Sequence, residues 1–141
     1  DWLRNNVLNK IDSNKSLTKK EAYIKISSFL KNYSKGEKIH CVSAGKGQDM
    51  TLLEQLYHEG FPNLKYFHAL HCLPDYLNHS EHFDLHTIFY LAGIKEPYIR
   101  EDYANLEIKN EKHNALYDAK IVKECFLKLM RTSKLKGLLK F

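Results

Sequence analysis

Hydrophobic positions along the chain fall into four helix-like blocks and one compact apolar run. The first block is a helix over 18–33, with Ile24, Phe29 and Leu30 near one face and Thr18-x-x-Glu21 as a capping box at its start. Lys35-Gly36 ends it. The apolar run Lys38–Ala44 reads as a short buried strand, because it is β-prone and bounded by Gly36 and Gly45. Gly45-Lys46-Gly47-Gln48 is expected as a loop. A helix follows from Asp49, with Met50, Leu52, Leu53 and Leu56 inside, and stops at Gly60-Phe61-Pro62. Leu64 to Leu70 fits either a strand or the start of a helix. Asp84 to Leu91 reads as a helix closing at Gly93, 95–111 as a polar loop, and 114–131 as the strongest helix of the chain.

Strand and helix alternate, which predicts an α/β or α+β domain. We find no internal repeat and no linker-like stretch, so residues 1–141 are expected to form one domain. The strands are too few for a full sheet. The chain also begins at Asp1 rather than Met, so the expectation is that the first strands lie upstream.

Composition narrows the classes. With 43% hydrophobic and 28% charged residues, the chain is globular rather than disordered. No apolar run reaches the roughly 18 residues of a membrane span, and Asp1-Trp2-Leu3-Arg4 is not an apolar signal segment, so no membrane association is expected. The 22 basic residues against 17 acidic permit a nucleic-acid partner without requiring one. Cys41, Cys72 and Cys125 are odd in number and widely spaced, which favours a reduced, cytoplasmic setting over a disulfide framework.

The segment that carries chemistry is Lys112-His113-Asn114-Ala115-Leu116-Tyr117-Asp118-Ala119. On a 3.6-residue period Asp118 shares a face with Val122, Cys125 and Leu129, which should pack inward. A carboxylate there is costly to bury unless it is paired or bound to a cation. Five residues of helix turn about 500°, so His113 converges on Asp118 only from the loop before the helix. Ala115 and Ala119 leave room for a ligand beside Asp118. Taken alone, these residues fit a locally bonded Asp and a surface His better than a functional site.

The run His113-Asn114-Ala115-Leu116-Tyr117-Asp118-Ala119 resembles the third motif of the DEDD 3′–5′ exonucleases of the histidine subtype, His-x-Ala-Leu-x-Asp-Ala. The tyrosine subtype needs Tyr where Asn114 stands. Val42-Ser43-Ala44-Gly45-Lys46-Gly47-Gln48-Asp49 resembles the second motif, in which an Asp follows a central strand. Gly45 and Gln48 depart from the Asn and the aromatic residue common there. The first motif, Asp-x-Glu, occurs nowhere in the chain.

The resemblance implies an RNase H-like fold, a mixed sheet with flanking helices, here missing its first strands. It implies hydrolysis at DNA or RNA 3′ ends that releases nucleoside monophosphates. In the family four carboxylates hold two Mg²⁺ or Mn²⁺ ions. By the motif match Asp49 and Asp118 would be metal ligands and His113 the general base, an imidazole suited to proton transfer near neutrality. Without Asp-x-Glu these residues supply half of the metal cage, so residues 1–141 alone are expected to bind metal weakly and to show little activity. The alternative is a catalytically inactive binding module on the same fold.

Other signals are weaker. His68, His71, Cys72, His79, His82 and His86 cluster, and His82 and His86 have zinc-compatible spacing, but no His-Glu-x-x-His is present. Lys46 is a candidate contact to a substrate phosphate, although Gly45-Lys46-Gly47 lacks the Walker pattern. Tyr98, Tyr103 and Phe67 are candidates for stacking on bases or for core positions. The tail from Lys134 to Phe141 is basic and amphipathic and fits a partly packed terminal segment better than a membrane-surface helix.

Overall fold

Polar caps and a few inward stripes decide where the helices of this chain start, stop and face. The computed structural model describes residues 16–60, 73–78, 82–95, 99–106, 114–132 and 134–136. Among the described residues there are five helices and two strands: α1 (Lys19–Ser34), β1 (Val42–Ser43), α2 (Lys46–Gly60), β2 (Phe83–Asp84), α3 (Leu85–Ala92), α4 (Arg100–Ala104) and α5 (Ala115–Met130). The chain is mixed α/β, and its two strands pair in parallel. This sheet is smaller than the mixed sheet the exonuclease resemblance implies. The chain divides into two compact units, Asp1–Cys41 with Gly47–His82, and Val42–Lys46 with Phe83–Phe141.

In the first unit, α1 begins with the expected capping box. Thr18 Oγ1 accepts from the Glu21 N–H at 3.3 Å, and Glu21 Oε2 accepts from the Thr18 N–H at 2.8 Å. The reciprocal pair satisfies two helix-end donors that otherwise have no partner within the helix. Lys35 ends the helix with φ 48°, and Gly36 follows at φ 93°. The inward face differs from expectation. Tyr23 and Leu30 pack on the core, whereas Ile24 and Phe29 are exposed, Phe29 at 67%. Tyr23, Ser27 and Leu30 share a stripe at i, i+4, i+7, and a serine in its middle hides it from a purely apolar count.

That core is built on Tyr57, Leu73 and Leu77, with Ile39, Cys41, Met50 and Leu53 against it. The Tyr57 and Tyr76 hydroxyls lie 2.9 Å apart, and the Tyr23 ring meets Tyr57 edge-on at 5.4 Å. Burial pushes the Tyr57 phenol above its ordinary range. Ile39 bridges Leu77 in parallel through Ile39 N–H to Tyr76 O, 2.8 Å, and Asn78 N–H to Ile39 O, 2.9 Å. The expected strand over Lys38–Ala44 is thus realised in two pieces, a bridge at Ile39 and the ladder of β1. Two further corrections concern α2. It starts at Lys46 rather than Asp49, leaving Ala44 and Gly45 as the turn after β1. Leu52 is 64% exposed, since Met50, Leu53 and Tyr57 define the inward side. The segment 64–70 lies outside the described residues.

In the second unit, Val42 pairs with Phe83 and Ser43 with Asp84. Each strand passes into a helix, β1 after two residues and β2 directly. Asp84 caps α3 by accepting from Thr87 N–H and Thr87 Oγ1, both at 3.1 Å. Gly93 closes α3 in the left-handed region, φ 68°. The expected loop 95–111 contains a short helix, α4, whose N-cap Ile99 offers no side-chain bond. A five-residue helix without a capping signature leaves little mark on the sequence. Leu85, Ile88, Phe89 and Ala92 of α3 meet Tyr117, Ile121, Cys125 and Leu129 of α5 in one core. Leu135 is buried in that core as well, which agrees with a partly packed terminal segment. Residues 137–141 lie outside the described residues.

Candidate functional site

Asp118 stands in the first turn of α5, and Asn114 sets that turn. The Asn114 Oδ1 accepts from Leu116 N–H at 3.0 Å and Tyr117 N–H at 3.4 Å, and its carbonyl accepts from Asp118 N–H at 2.9 Å. Helix geometry places Asp118 within about 20° of the directions of Cys125 and Leu129. Both of those residues are fully buried. Asp118 itself is exposed. The buried stripe of α5 runs through Tyr117, Ile121, Cys125 and Leu129, so in the first turn the inward position is Tyr117 and Asp118 falls beside it. This corrects the expectation of a carboxylate that must be compensated inside the protein. Asp118 instead projects into water next to the buried Tyr117. Ala115 and Ala119 beside it are exposed.

Asp49 occupies the first turn of α2 and is also exposed. Like Asp118, it sits at a helix N-terminus, where the macrodipole favours negative charge. Asp49 belongs to the first unit and Asp118 to the second. Among the described residues neither carboxylate is engaged by another side chain. Lys46 is the first residue of α2, and its side chain lies outside the described set. His113 lies outside the described residues.

The donor chemistry of Asp49 and Asp118 fits a hard divalent cation, which prefers carboxylate oxygen. Among the described residues no three His, Cys, Asp or Glu side chains gather into a metal-holding group. His68, His71, Cys72 and His79 of the histidine cluster lie outside the described residues. His86 is committed in another way, with its Nε2 3.2 Å from the Arg100 guanidinium.

Tyr103 resolves in favour of the core. Its ring meets Phe89 edge-on at 5.0 Å, and Lys128 Nζ lies 4.7 Å above it while donating to the Tyr103 carbonyl at 2.8 Å. Tyr98 and Phe67 lie outside the described residues. The contact between Arg100 and His86 escaped the sequence reading, because residues 14 apart on either side of a turn form no motif.

Comparison with known proteins adds no relative: no family model, curated protein or solved structure matches this chain. No helix among the described residues is long and apolar enough to cross a membrane.

Proposed function

We propose that this chain is part of a metal-dependent 3′–5′ exonuclease that removes nucleoside monophosphates from nucleic-acid 3′ ends. The observation that supports this reading most is the run His113-Asn114-Ala115-Leu116-Tyr117-Asp118-Ala119 lying at the capped start of α5, with its carboxylate exposed. An exposed Asp beside the buried stripe can meet a cation without displacing core atoms.

In this reading Asp118 and Asp49 would be metal ligands, as the motif match implies, and Mg²⁺ or Mn²⁺ would supply an activated water and charge stabilisation at the leaving oxygen. His113 accepts the proton of the attacking water. Lys46, the first residue of α2, is the candidate for contact with a substrate phosphate. The Asp-x-Glu that supplies the other carboxylates in the family does not occur in these 141 residues. The competing reading, an inactive binding module, draws on the lack of any Asp-x-Glu in the chain.

The test uses the polypeptide as its gene encodes it, with 5′-labelled DNA and RNA oligonucleotides and added Mg²⁺ or Mn²⁺. We expect stepwise shortening from the 3′ end. Asp118→Asn should abolish it, and His113→Ala should slow it by about 10²–10⁴-fold. Both variants should keep the wild-type circular dichroism. A folded protein that shortens neither substrate overturns the proposal and leaves the binding-module reading.

A further inference from the structure

We propose that the exposed aromatic row of α1, Phe29 and Tyr33 with Lys25 beside them, binds single-stranded nucleic acid by stacking. The three residues stand at i, i+4 and i+8, so they follow one row along the helix. The core of the first unit takes Tyr23 and Leu30 from α1 and leaves these two rings in water, Phe29 67% exposed and Tyr33 68%. The rings lie nearly parallel, with an interplanar angle of 21° and centroids 6.2 Å apart. Successive bases of a strand share an orientation in the same way, and every base offers a π-face to an aromatic ring.

Charge selects the occupant. The helix and its C-cap carry Lys19, Lys20, Lys25, Lys31 and Lys35 against Glu21 alone. Glu21 is held in the capping box by Thr18, and Lys19 is paired with Glu59 at 2.7 Å. Lys25 feels Glu21 four positions earlier, an exposed pair that water screens. Glu37 stands two residues past the C-cap. Lys20, Lys25, Lys31 and Lys35 are exposed, and together they give the rings a positive surround that suits a phosphate backbone. A lipid surface or an apolar peptide needs a continuous aliphatic stripe instead. Ile26, 36% exposed, borders the rings, but Ile24 lies about 140° around the helix from Phe29. The open face is therefore aromatic and basic rather than aliphatic. Binding by this row involves no turnover. Only the use of the strand, as substrate of a nuclease, rests on the exonuclease reading.

The test is fluorescence anisotropy of a labelled oligothymidylate with the polypeptide as its gene encodes it, in EDTA so that no strand is cut. We expect binding that weakens with salt. Phe29→Ala and Tyr33→Ala should each weaken it by about fivefold or more. Phe29→Leu should weaken it as much as Phe29→Ala, and Phe29→Trp should bind at least as well as wild type, because the π-face is what the base meets. Lys25→Gln should lower the slope of log affinity against log salt by about 0.7. Thermal melts report folding, and Phe29→Leu against Phe29→Trp carries the comparison should an alanine variant melt early. The proposal is overturned if the oligonucleotide does not bind, if its duplex with oligodeoxyadenylate binds as tightly, or if a folded Phe29→Leu binds like wild type. Sedimentation that shows a dimer dispersed by Phe29→Ala also overturns it and gives the face to a second copy. Failure here is separable from failure of the oligonucleotide-shortening assay, which reads Asp118 and His113.

Discussion

Lys35 terminates α1 at φ 48°, a left-handed conformation that costs an L-residue roughly 1–2 kcal/mol. Glycine has no such penalty, although it loses more backbone entropy on folding. Lys35→Gly should therefore raise stability by about 0.5–1 kcal/mol, read as a higher urea midpoint at unchanged slope. Gly93 gives the opposite case. It has φ 68°, a conformation in which any side chain is strained, so Gly93→Ala should lower the midpoint. Glu21 carries a pH signature. The Thr18 side-chain bond, then the Thr18 backbone bond, hold its carboxyl below its ordinary value of 4.5. A group lowered in this way stabilises the fold fully above its ordinary pKa, and the contribution disappears as pH falls through the lowered one. The acid limb of the stability profile below about pH 4.5 should flatten in Thr18→Ala. An unchanged limb would mean that the capping box adds nothing to the acid response.

At the scale of elements, the cap at Thr18 and the stop at Gly93 were legible. The capping roles of Asp84 and Asn114 came from the structure, and the inward face of α1 was not legible. Thr18, Asp84 and Asn114 all cap the helices that follow them, and Gly93 closes α3 where the sequence placed the stop. These are local bonds between residues a few positions apart, so the sequence contains both partners. Which side of α1 turns inward depends on Tyr57 and Tyr76, far along the chain, and Ile24 and Phe29 were misread for that reason. Asp118 was misread by one position around the helix, since the stripes 117, 121, 125, 129 and 118, 122, 125, 129 share their last two residues and only packing decides between them. Asn114→Ala should cost about 1 kcal/mol through loss of the cap bonds. Leu129→Ala should cost about 2–5 kcal/mol through a cavity in a fully buried position. Both are read from chemical denaturation, and a cost for Asn114→Ala approaching that of Leu129→Ala would show that more than the cap is lost.

At the scale of the whole molecule, α/β character was legible from alternation, while the sheet was not. The sequence marks one apolar run, and that run is shared between a single bridge in the first unit and two ladder residues in the second. Parallel pairing has no local turn signal, because its partner strand arrives only after a long crossover. The exposed carboxylates of Asp49 and Asp118 were found through motifs rather than through pattern, and the described residues place them in separate units.

The five residues Val42–Lys46 have a consequence for how the protein is made. They belong to the second unit although the first unit's sequence surrounds them. During synthesis β1 leaves the ribosome early and waits for β2 while the intervening chain is still being translated. Long-range closure of this kind slows folding. A fragment beginning at Phe83 would carry α3, α4 and α5 but only one strand of the pair. Cut between the two strands, the chain becomes a pair of complementary pieces, and recovery of the second unit on mixing them would report directly on the reunion of Val42 with Phe83.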